Sequence, residues 1–268
     1  MATVKDQLSD LQKAQRDGIS MDWLAKLKEQ VPVDADDHSL ETSDNLTSRP
    51  KGAIPREGIP QFGAYTFRTK KDVWGYNLTK LYQEAASRQW SSATDIPWET
   101  IKPLPDDIEA AECQLSTFFT QVEFVAADVP GRFISQISPE YHEVRMFLLS
   151  QVMDESRHLD VFRKRALANG GGLMRMIDSV SNVTGGSTDS AREFTEMSSR
   201  LHIVGEGNVL TLFRLGELMS YNEAEKAMYR RAAQDEARHV AFGVLHGRYM
   251  SECVPERLAE FHTYLDEA

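Results

Sequence analysis

A five-residue motif occurs twice in this sequence and contains the residue types of a metal site. Residues 154–158 read Asp-Glu-Ser-Arg-His, and 81 positions later residues 235–239 read Asp-Glu-Ala-Arg-His. In each copy the Glu and the His are three positions apart, so about 100° of rotation per helical residue puts both on one helix face, roughly one turn apart. Two such faces turned toward each other can hold two metal ions.

Two single glutamates complete the pattern. Glu123 precedes Glu155 by 32 residues, and Glu206 precedes Glu236 by 30 residues, each inside an otherwise apolar helical segment. The similar spacings fit two antiparallel helix pairs, and di-iron helical bundles use one Glu from each of two helices and a Glu-x-x-His from each of the other two. Carboxylates suit iron that changes oxidation state, and each imidazole supplies a nitrogen ligand. The predicted metal ligands are Glu123, Glu155, His158, Glu206, Glu236 and His239, with Glu206 and Glu236 also predicted to be catalytic.

The order Glu, Glu-x-x-His, Glu, Glu-x-x-His over residues 106–250 resembles the ferritin-like di-iron carboxylate superfamily. The longer Asp-Glu-x-Arg-His form is most similar to its oxygen-activating branch, which includes the bacterial multicomponent monooxygenase hydroxylases and the ribonucleotide reductase small subunits. The resemblance implies a ferritin-like fold, a non-haem di-iron centre and oxygen chemistry.

The resemblance also implies a layer of hydrogen-bonding residues around the ligands. Asp235 would accept a hydrogen bond from His158, and Asp154 one from His239, which would fix each imidazole ring and raise its basicity. The arginines of the two motifs would brace these aspartates. The residues assigned to this layer are Asp154, Arg157, Asp235, Arg238 and His202.

The surroundings of Glu206 raise two further expectations. His202 lies four residues earlier on the same helix face, and it could be a third imidazole ligand, a donor to a ligand, or a hydrogen-bonded core histidine, which we favour. Gly205 and Gly207 flank Glu206 although each glycine costs a helix about 1 kcal/mol. They therefore predict a close neighbouring group or a local helix bulge, and oxygen chemistry is expected on this side of the cluster.

Three positions depart from the named relatives. The radical tyrosine of the reductase small subunits is replaced by Phe162, which excludes a tyrosyl radical at that site. The additional histidine of the arylamine N-oxygenases is replaced by Ala232, and Leu210 stands where the hydroxylases have a threonine. Ferritins are shorter chains without a long arm, which argues against iron storage.

Composition sets the remaining limits. The chain has 268 residues, a net charge of −11 and a pI near 5.2, which disfavours nucleic acid and anionic membranes as partners. Cys113 and Cys253 have no metal-ligand spacing, so neither a disulfide framework nor a thiolate zinc site is expected. Because no signal segment or apolar run of about 18 residues is present, a cytoplasmic protein is expected.

The sequence predicts an all-α fold with a ferritin-like four-helix bundle core, extra N-terminal helices and an irregular arm. Residues 1–66 are assigned to the arm and residues 67–268 to the bundle domain. Helices are predicted over 4–16, 21–30, 69–90, 105–134, 139–168, 188–219, 223–250 and 255–265. Pro130 and Gly131 should kink or end the first bundle helix, and residues 171–186 form the crossover between the two helix pairs.

The predicted function is that of a di-iron oxygenase or oxidase, which reductively activates O₂ to hydroxylate, N-oxygenate or desaturate a small organic substrate. The expected cofactors are two Fe ions, with a Mn/Fe pair as the alternative, and O₂ is the co-substrate. No flavin, nicotinamide or iron–sulfur motif is present, so a separate reductase or ferredoxin should supply electrons. A homodimer is expected. The alternative function is a non-catalytic metal- and ligand-binding protein, either a sensor or an oxidase-like scaffold.

An apolar cavity is expected beside the metal ions, because substrate sites are concave and mostly apolar. Its candidate walls are Phe124, Phe162, Val209, Phe213 and Phe242.

Overall fold

The computed structural model describes residues 39–61, 65–176 and 190–268. In these residues the regular secondary structure is helical, with two isolated β-bridges and no strand, so the predicted all-α class is confirmed. The short helices predicted over 4–16 and 21–30 lie outside the described residues, as does most of the predicted crossover. The division into an arm and a bundle domain stays a prediction.

The described helices are α1 (Lys70–Val73), α2 (Leu78–Ser87), α3 (Asp106–Ile134), α4 (His142–Leu167), α5 (Phe194–Ser198), α6 (Glu206–Met219), α7 (Glu223–Cys253) and α8 (Leu258–Asp266). A π-helical segment, Ser199–Gly205, joins α5 to α6 without a break. Short 3₁₀ turns lie at Trp98–Thr100, Pro139–Tyr141, Ala168–Gly170 and Pro255–Arg257. Helix α3 packs along α4, and α6 packs along α7. Within the described part of the chain, no helix has both the length and the apolar character that crossing a membrane requires.

One predicted helix end is confirmed and one predicted helix start is wrong. Helix α3 ends at Ile134, as predicted, so Pro130 does not end it, and Val129 and Phe133 are buried in the core on either side of the proline. Their burial offsets the single backbone hydrogen bond that a proline removes. Helix α5 begins at Phe194, because the Glu196 side chain accepts a hydrogen bond from the Arg192 backbone N–H and closes the start of the helix there.

The helix predicted over 69–90 is interrupted between α1 and α2. Gly75 passes so close to α7 that an added Cβ would lie 3.2 Å from the backbone nitrogen of His246. Asn77 adopts a left-handed φ of 59°, and the Trp74 carbonyl accepts a hydrogen bond of 2.6 Å from His246 Nδ1. The contact with α7 therefore interrupts the helix for about one turn. The apolar periodicity of the segment did not predict this interruption.

The core consists of two aromatic clusters, one on each side of a buried polar centre. In the first, Phe147 stacks on Phe242, and its ring centroid lies 6.5 Å from that of His239. In the second, Phe213 packs with its neighbours, and its ring lies 6.2 Å from that of His158. Each motif histidine therefore packs against one of the two clusters.

A buried ionic contact joins three helices at one end of the bundle. Arg165 on α4 donates to Glu109 on α3 at 2.6 Å and to Glu225 on α7 at 2.7 Å. The other Glu225 oxygen accepts a hydrogen bond from the Tyr221 backbone N–H, while Asn222 caps the start of α7. The side chains of Arg165 and Glu225 are each 1% exposed, so neither charge can be solvated by water if the other is removed.

Replacing Arg165 by Leu should lower the free energy of unfolding of the metal-free protein by about 3–5 kcal/mol, because Glu225 would stay buried without its partner. Chemical denaturation measures the change. The matched control is Arg230→Leu, which breaks an ion pair to Glu217 whose side chains are 55% and 31% exposed. The control should cost at most about 1 kcal/mol, and a similar cost for both variants would contradict the prediction.

Candidate metal centre

The structure brings all six predicted ligands together in the middle of the bundle. They come from α3, α4, α6 and α7, and every one of these side chains belongs to a residue at most 1% exposed. Glu206 is the first residue of α6, directly after the π-helical segment. The local geometry of the two motifs explains the rest, since a Glu and a His three positions apart on a helix share one face.

The six residues form two overlapping groups. One group is Glu123, Glu155, His158 and Glu236, and the other is Glu155, Glu206, Glu236 and His239. In each group the candidate ligand atoms lie within 4.8 Å of one another. Glu155 and Glu236 belong to both groups and are therefore placed to bridge two metal ions.

Both imidazoles turn Nδ1 toward the shared carboxylates. His158 Nδ1 lies 3.1 Å from Glu155 Oε2 and 3.0 Å from Glu236 Oε1. His239 Nδ1 lies 3.0 Å from Glu155 Oε1 and 2.9 Å from Glu236 Oε2. The centre is thus nearly symmetric about the two bridging glutamates.

The remaining glutamates each lie on one side. Glu123 Oε2 is 3.5 Å from His158 Nδ1, and Glu206 Oε1 is 3.8 Å from His239 Nδ1. We name the side with Glu123 and His158 subsite 1 and the side with Glu206 and His239 subsite 2.

The charges at this centre fit a pair of cations. Burial raises the pKa of Glu123 and of Glu206 well above the usual value for a glutamate. Burial alone would lower the pKa of each motif histidine, but the surrounding carboxylates raise the pKa of both His158 and His239 well above normal. Protons on these groups therefore balance the charge when no cation is bound, and metal ions would replace them.

The hydrogen bonding of the carboxylates points the same way. Among the described residues, none donates a well-aligned hydrogen bond to either oxygen of Glu123, or to Oε1 of Glu155 and Oε1 of Glu236. Buried oxygens of this kind normally have a partner. Carboxylates and imidazoles are the donor set of a non-haem iron or manganese centre, so the residues present fit the metals that the motifs predict.

The aspartates of the motifs lie behind the opposite histidines. His158 Nε2 is 3.1 Å from Asp235 Oδ2, and His239 Nε2 is 3.4 Å from Asp154 Oδ2. A proton on each Nε2 can be donated to the aspartate, which leaves the Nδ1 lone pair for a metal. Each aspartate thus lies behind the histidine of the other motif, which is the arrangement that the family resemblance implies.

The motif arginines close this layer into a ring of four charges. Arg157 contacts Asp154 and lies 3.2 Å from Asp235, while Arg238 contacts Asp235 and lies 3.0 Å from Asp154. Trp90, which the sequence analysis missed, donates its indole N–H to Asp235 Oδ2 at 2.7 Å and stacks on the His158 ring. Trp90 follows α2 and lies 145 residues from Asp235, so no local pattern indicated this contact.

His202 is not placed as a third metal ligand. Both ring nitrogens have other partners at 3.0 Å, Nδ1 with Ser198 Oγ and Nε2 with Gln151 Oε1. Burial lowers the pKa of His202 well below normal, which keeps the ring neutral. Gln151, also missed, donates to Glu206 Oε1 at 3.1 Å. Its position one turn before Glu155 was the available signal.

The helix bulge expected near Glu206 is present, and it is the π-helical segment Ser199–Gly205. A Cβ on Gly205 would lie 3.4 Å from the Arg200 carbonyl oxygen, so the glycine eases the local packing. A Cβ on Gly207 would meet nothing within 4 Å, so Gly207 provides no close approach.

An apolar cavity of about 230 Å³ lies between α3 and the α5–α6 helix and reaches Glu206. Its walls include Phe118, Val122, Val204, Gly205 and Val209. Of the five expected wall residues, Val209 alone lines this cavity. The prediction for Phe124 is wrong, because this residue is 56% exposed on the bundle surface. The predictions for Phe162, Phe213 and Phe242 are wrong because these side chains are packed in the core clusters.

No protein-family model matches the sequence, and no curated protein does. Among solved structures, the R2-like ligand-binding oxidase from Sulfolobus acidocaldarius covers 71% of this chain and 80% of its own, with a TM-score of 0.55 and 17% identity. Two variants of an R2-like ligand-binding oxidase, reconstituted with Mn/Fe aerobically and anaerobically, give TM-scores of 0.51 and 0.50. Both cover 72% of this chain, with 81% and 85% of their own and 19% and 20% identity.

These likenesses show that the chain has the ferritin-like helical fold of the R2-like proteins. The helical bundle fold that the motifs led us to expect is thereby confirmed.

The protein should bind two metal ions per chain when it is loaded anaerobically with ferrous iron. Replacing either His158 or His239 by Ala should remove at least one ion and leave the helical circular dichroism largely unchanged, because apolar packing holds the bundle. Metal analysis after desalting measures the stoichiometry, and binding should strengthen with rising pH as the histidines lose their protons. A well-folded parental protein that saturates at one ion or none would contradict the two-metal centre.

Replacing Asp154 or Asp235 by Asn should weaken metal binding or activity by about 10–100-fold, because the opposite histidine loses a charged acceptor. In Asp235→Asn the neutral amide would also accept less strongly from Trp90. A competition titration against a metal chelator gives the affinity. Asp107→Asn, at an exposed carboxylate about four turns before Glu123 on α3, is the control and should match the parental protein. Parental affinity in both motif variants would show that the crossed contacts do not support the ligands.

Proposed function

We propose that this protein is a di-metal oxidase or oxygenase that uses O₂ to oxidise a small organic substrate held beside Glu206. The observation that carries the proposal is the position of Glu206, which belongs to the candidate metal centre and also forms part of the cavity wall. A substrate in this cavity would lie next to subsite 2. Subsite 1 faces the packed core, where Phe213 lies against His158.

The bound metals would supply the redox chemistry of oxygen reduction, which no protein side chain provides. The chain supplies the geometry and the environment. Glu155 and Glu236 are placed to bridge, Glu123 and Glu206 to bind one metal each, and the histidines to bind through Nδ1. The aromatic clusters exclude water from both ends of the centre, and the ring of motif aspartates and arginines neutralises itself.

The cavity lining favours oxidation of a hydrocarbon group. Most of the lining around Glu206 is apolar and includes four valines and Gly205, while Asn208 and Arg200 add polar groups. An apolar part of the substrate would therefore be presented to the metals, which favours hydroxylation or desaturation over N-oxygenation. The volume of about 230 Å³ suits a small molecule or one portion of a longer chain.

Iron in both subsites is the first choice of cofactor, and a Mn/Fe pair is the second, since R2-like proteins of the same fold have been reconstituted with Mn/Fe. We propose an external reductase or ferredoxin as the electron donor, because the sequence contains no flavin, nicotinamide or iron–sulfur motif.

Oxygen uptake by the iron-loaded, chemically reduced protein tests the proposal. Uptake should accelerate with apolar candidate substrates, and oxidised products should appear in the same proportion. A protein that binds two metals but consumes no oxygen would instead be a non-catalytic metal-binding protein, and the enzymatic proposal would fail.

Filling the cavity should separate metal binding from turnover. Val204→Phe adds a ring at the cavity wall, so it should reduce substrate-stimulated oxygen uptake by at least about tenfold, the loss that about 1.4 kcal/mol represents. Ferrous loading should stay near two per chain. The control is Gly207→Ala, because its added methyl group meets open space outside this cavity. Equal stimulation by substrate in both variants would place the substrate elsewhere.

A further inference from the structure

The two subsites differ in the residues that lie one helical turn before their glutamates. The residue one helical turn before each of the four glutamates is Phe119 before Glu123, Gln151 before Glu155, His202 before Glu206 and Ala232 before Glu236. All four are at most 1% exposed. Gln151 and His202, beside subsite 2, are polar, whereas Phe119 and Ala232 are apolar. The near symmetry of the six ligands therefore does not extend to the residues around them.

The polar residues beside subsite 2 form a chain of hydrogen bonds with a fixed direction. A bound metal would keep Glu206 ionised, and in that state it can only accept, so the Gln151 amide N–H donates to Glu206 Oε1 at 3.1 Å. The Gln151 oxygen must then accept from His202 Nε2–H at 3.0 Å. His202 Nδ1 consequently accepts from the Ser198 hydroxyl, also at 3.0 Å. Once the donor and acceptor of one hydrogen bond are assigned, the direction of the next hydrogen bond is fixed as well.

The side chains of this hydrogen-bonded series are held firmly within the bundle. Ser198, His202 and Gln151 are all fully buried, and the His202 ring packs edge-on against Phe242 with centroids 4.8 Å apart. Ser198 and His202 lie on either side of the start of the π-helical segment, while Gln151 reaches across from α4. The orientation of the amide therefore depends on two helices and is protected from water.

Glu206 and Glu123 consequently differ in the lone pairs that they keep for a metal. The Gln151 amide takes one lone pair of Glu206 Oε1, the oxygen that lies 3.8 Å from His239 Nδ1. No residue in the described ranges donates a well-aligned hydrogen bond to either oxygen of Glu123. Both oxygens of Glu123 are therefore available to a metal without competition, whereas Oε1 of Glu206 is shared with an N–H donor.

We propose that Gln151, held by His202 and Ser198, is a positioning residue that fixes the Glu206 carboxylate through a hydrogen bond to Oε1 and makes the two subsites unequal. Subsite 1 binds its ion more tightly, and subsite 2 binds its ion more weakly. The inference rests on the proposed metal centre, but it concerns metal binding and needs no turnover.

Titration of the full chain, free of metal, with Mn²⁺ alone tests this inequality, with the free ion counted by electron paramagnetic resonance. The parental protein should bind two ions in two resolved steps. Gln151→Met keeps the side-chain length without a hydrogen-bond donor, so Glu206 can rotate away from its binding position. The second step should weaken by about 10–100-fold, as is typical for residues that support a ligand, while the first step keeps its parental affinity.

A second variant and a control distinguish positioning from general damage. His202→Phe keeps a ring against Phe242 but removes the donor that orients Gln151, and it should weaken the same step selectively. Thr195→Val removes another buried hydrogen bond from the same helix, the 3.1 Å contact with His246 Nε2, and should leave both steps unchanged. Thermal unfolding of the metal-free variants reports any loss of stability separately.

The outcomes separate the two proposals. Equal weakening of both steps in Gln151→Met, or parental affinity in both steps, would overturn the positioning role while leaving the metal centre intact. A parental protein that binds Mn²⁺ with equal affinity at both subsites would overturn the inequality. A parental protein that binds neither Mn²⁺ nor ferrous iron would overturn both this inference and the proposed function.

Discussion

Four carboxylates buried in the middle of a helical bundle repel one another, and this repulsion governs the rest of the structure. Burial disfavours their charged forms, and only protons, cations or directed hydrogen bonds can offset the cost. The raised pKa of both motif histidines shows how the metal-free chain meets that demand. The ring of Asp154, Arg157, Asp235 and Arg238 then keeps the imidazoles oriented without adding net charge. The two aromatic clusters exclude the water that would otherwise solvate these groups.

The sequence predicted the parts of the centre that are set by local helical geometry. The Glu-x-x-His spacing places two side chains on one face, and the matching intervals of 32 and 30 residues pointed to Glu123 and Glu206. Contacts that depend on how helices meet could not be found in this way. Trp90 reaches Asp235 from a distant turn. Phe124 shares an apolar segment with Glu123 but faces outward, because neighbouring helical residues differ by about 100° in direction.

Backbone irregularities were predicted less well than side-chain chemistry. The bulge at Glu206 was expected from its two glycines, but Gly205 alone lies in the π-helical segment and lines the cavity. The break between α1 and α2 was not expected, because it follows from the approach of Gly75 to the α7 backbone rather than from local propensity. Both irregularities are places where packing between helices overrides the preference of the local sequence.

The crossed aspartates mean that neither half of the chain contains a complete imidazole environment. His158 sits on α4 but depends on Asp235 of α7, and His239 sits on α7 but depends on Asp154 of α4. A fragment carrying one helix pair would keep its Glu-x-x-His while losing the acceptor behind the histidine. Two identical helix pairs associated through a twofold axis would supply that acceptor reciprocally. In this internal repeat each motif therefore supplies the hydrogen-bond acceptor for the histidine of the other motif. A substitution that compensates for a change in one motif is expected in the other motif.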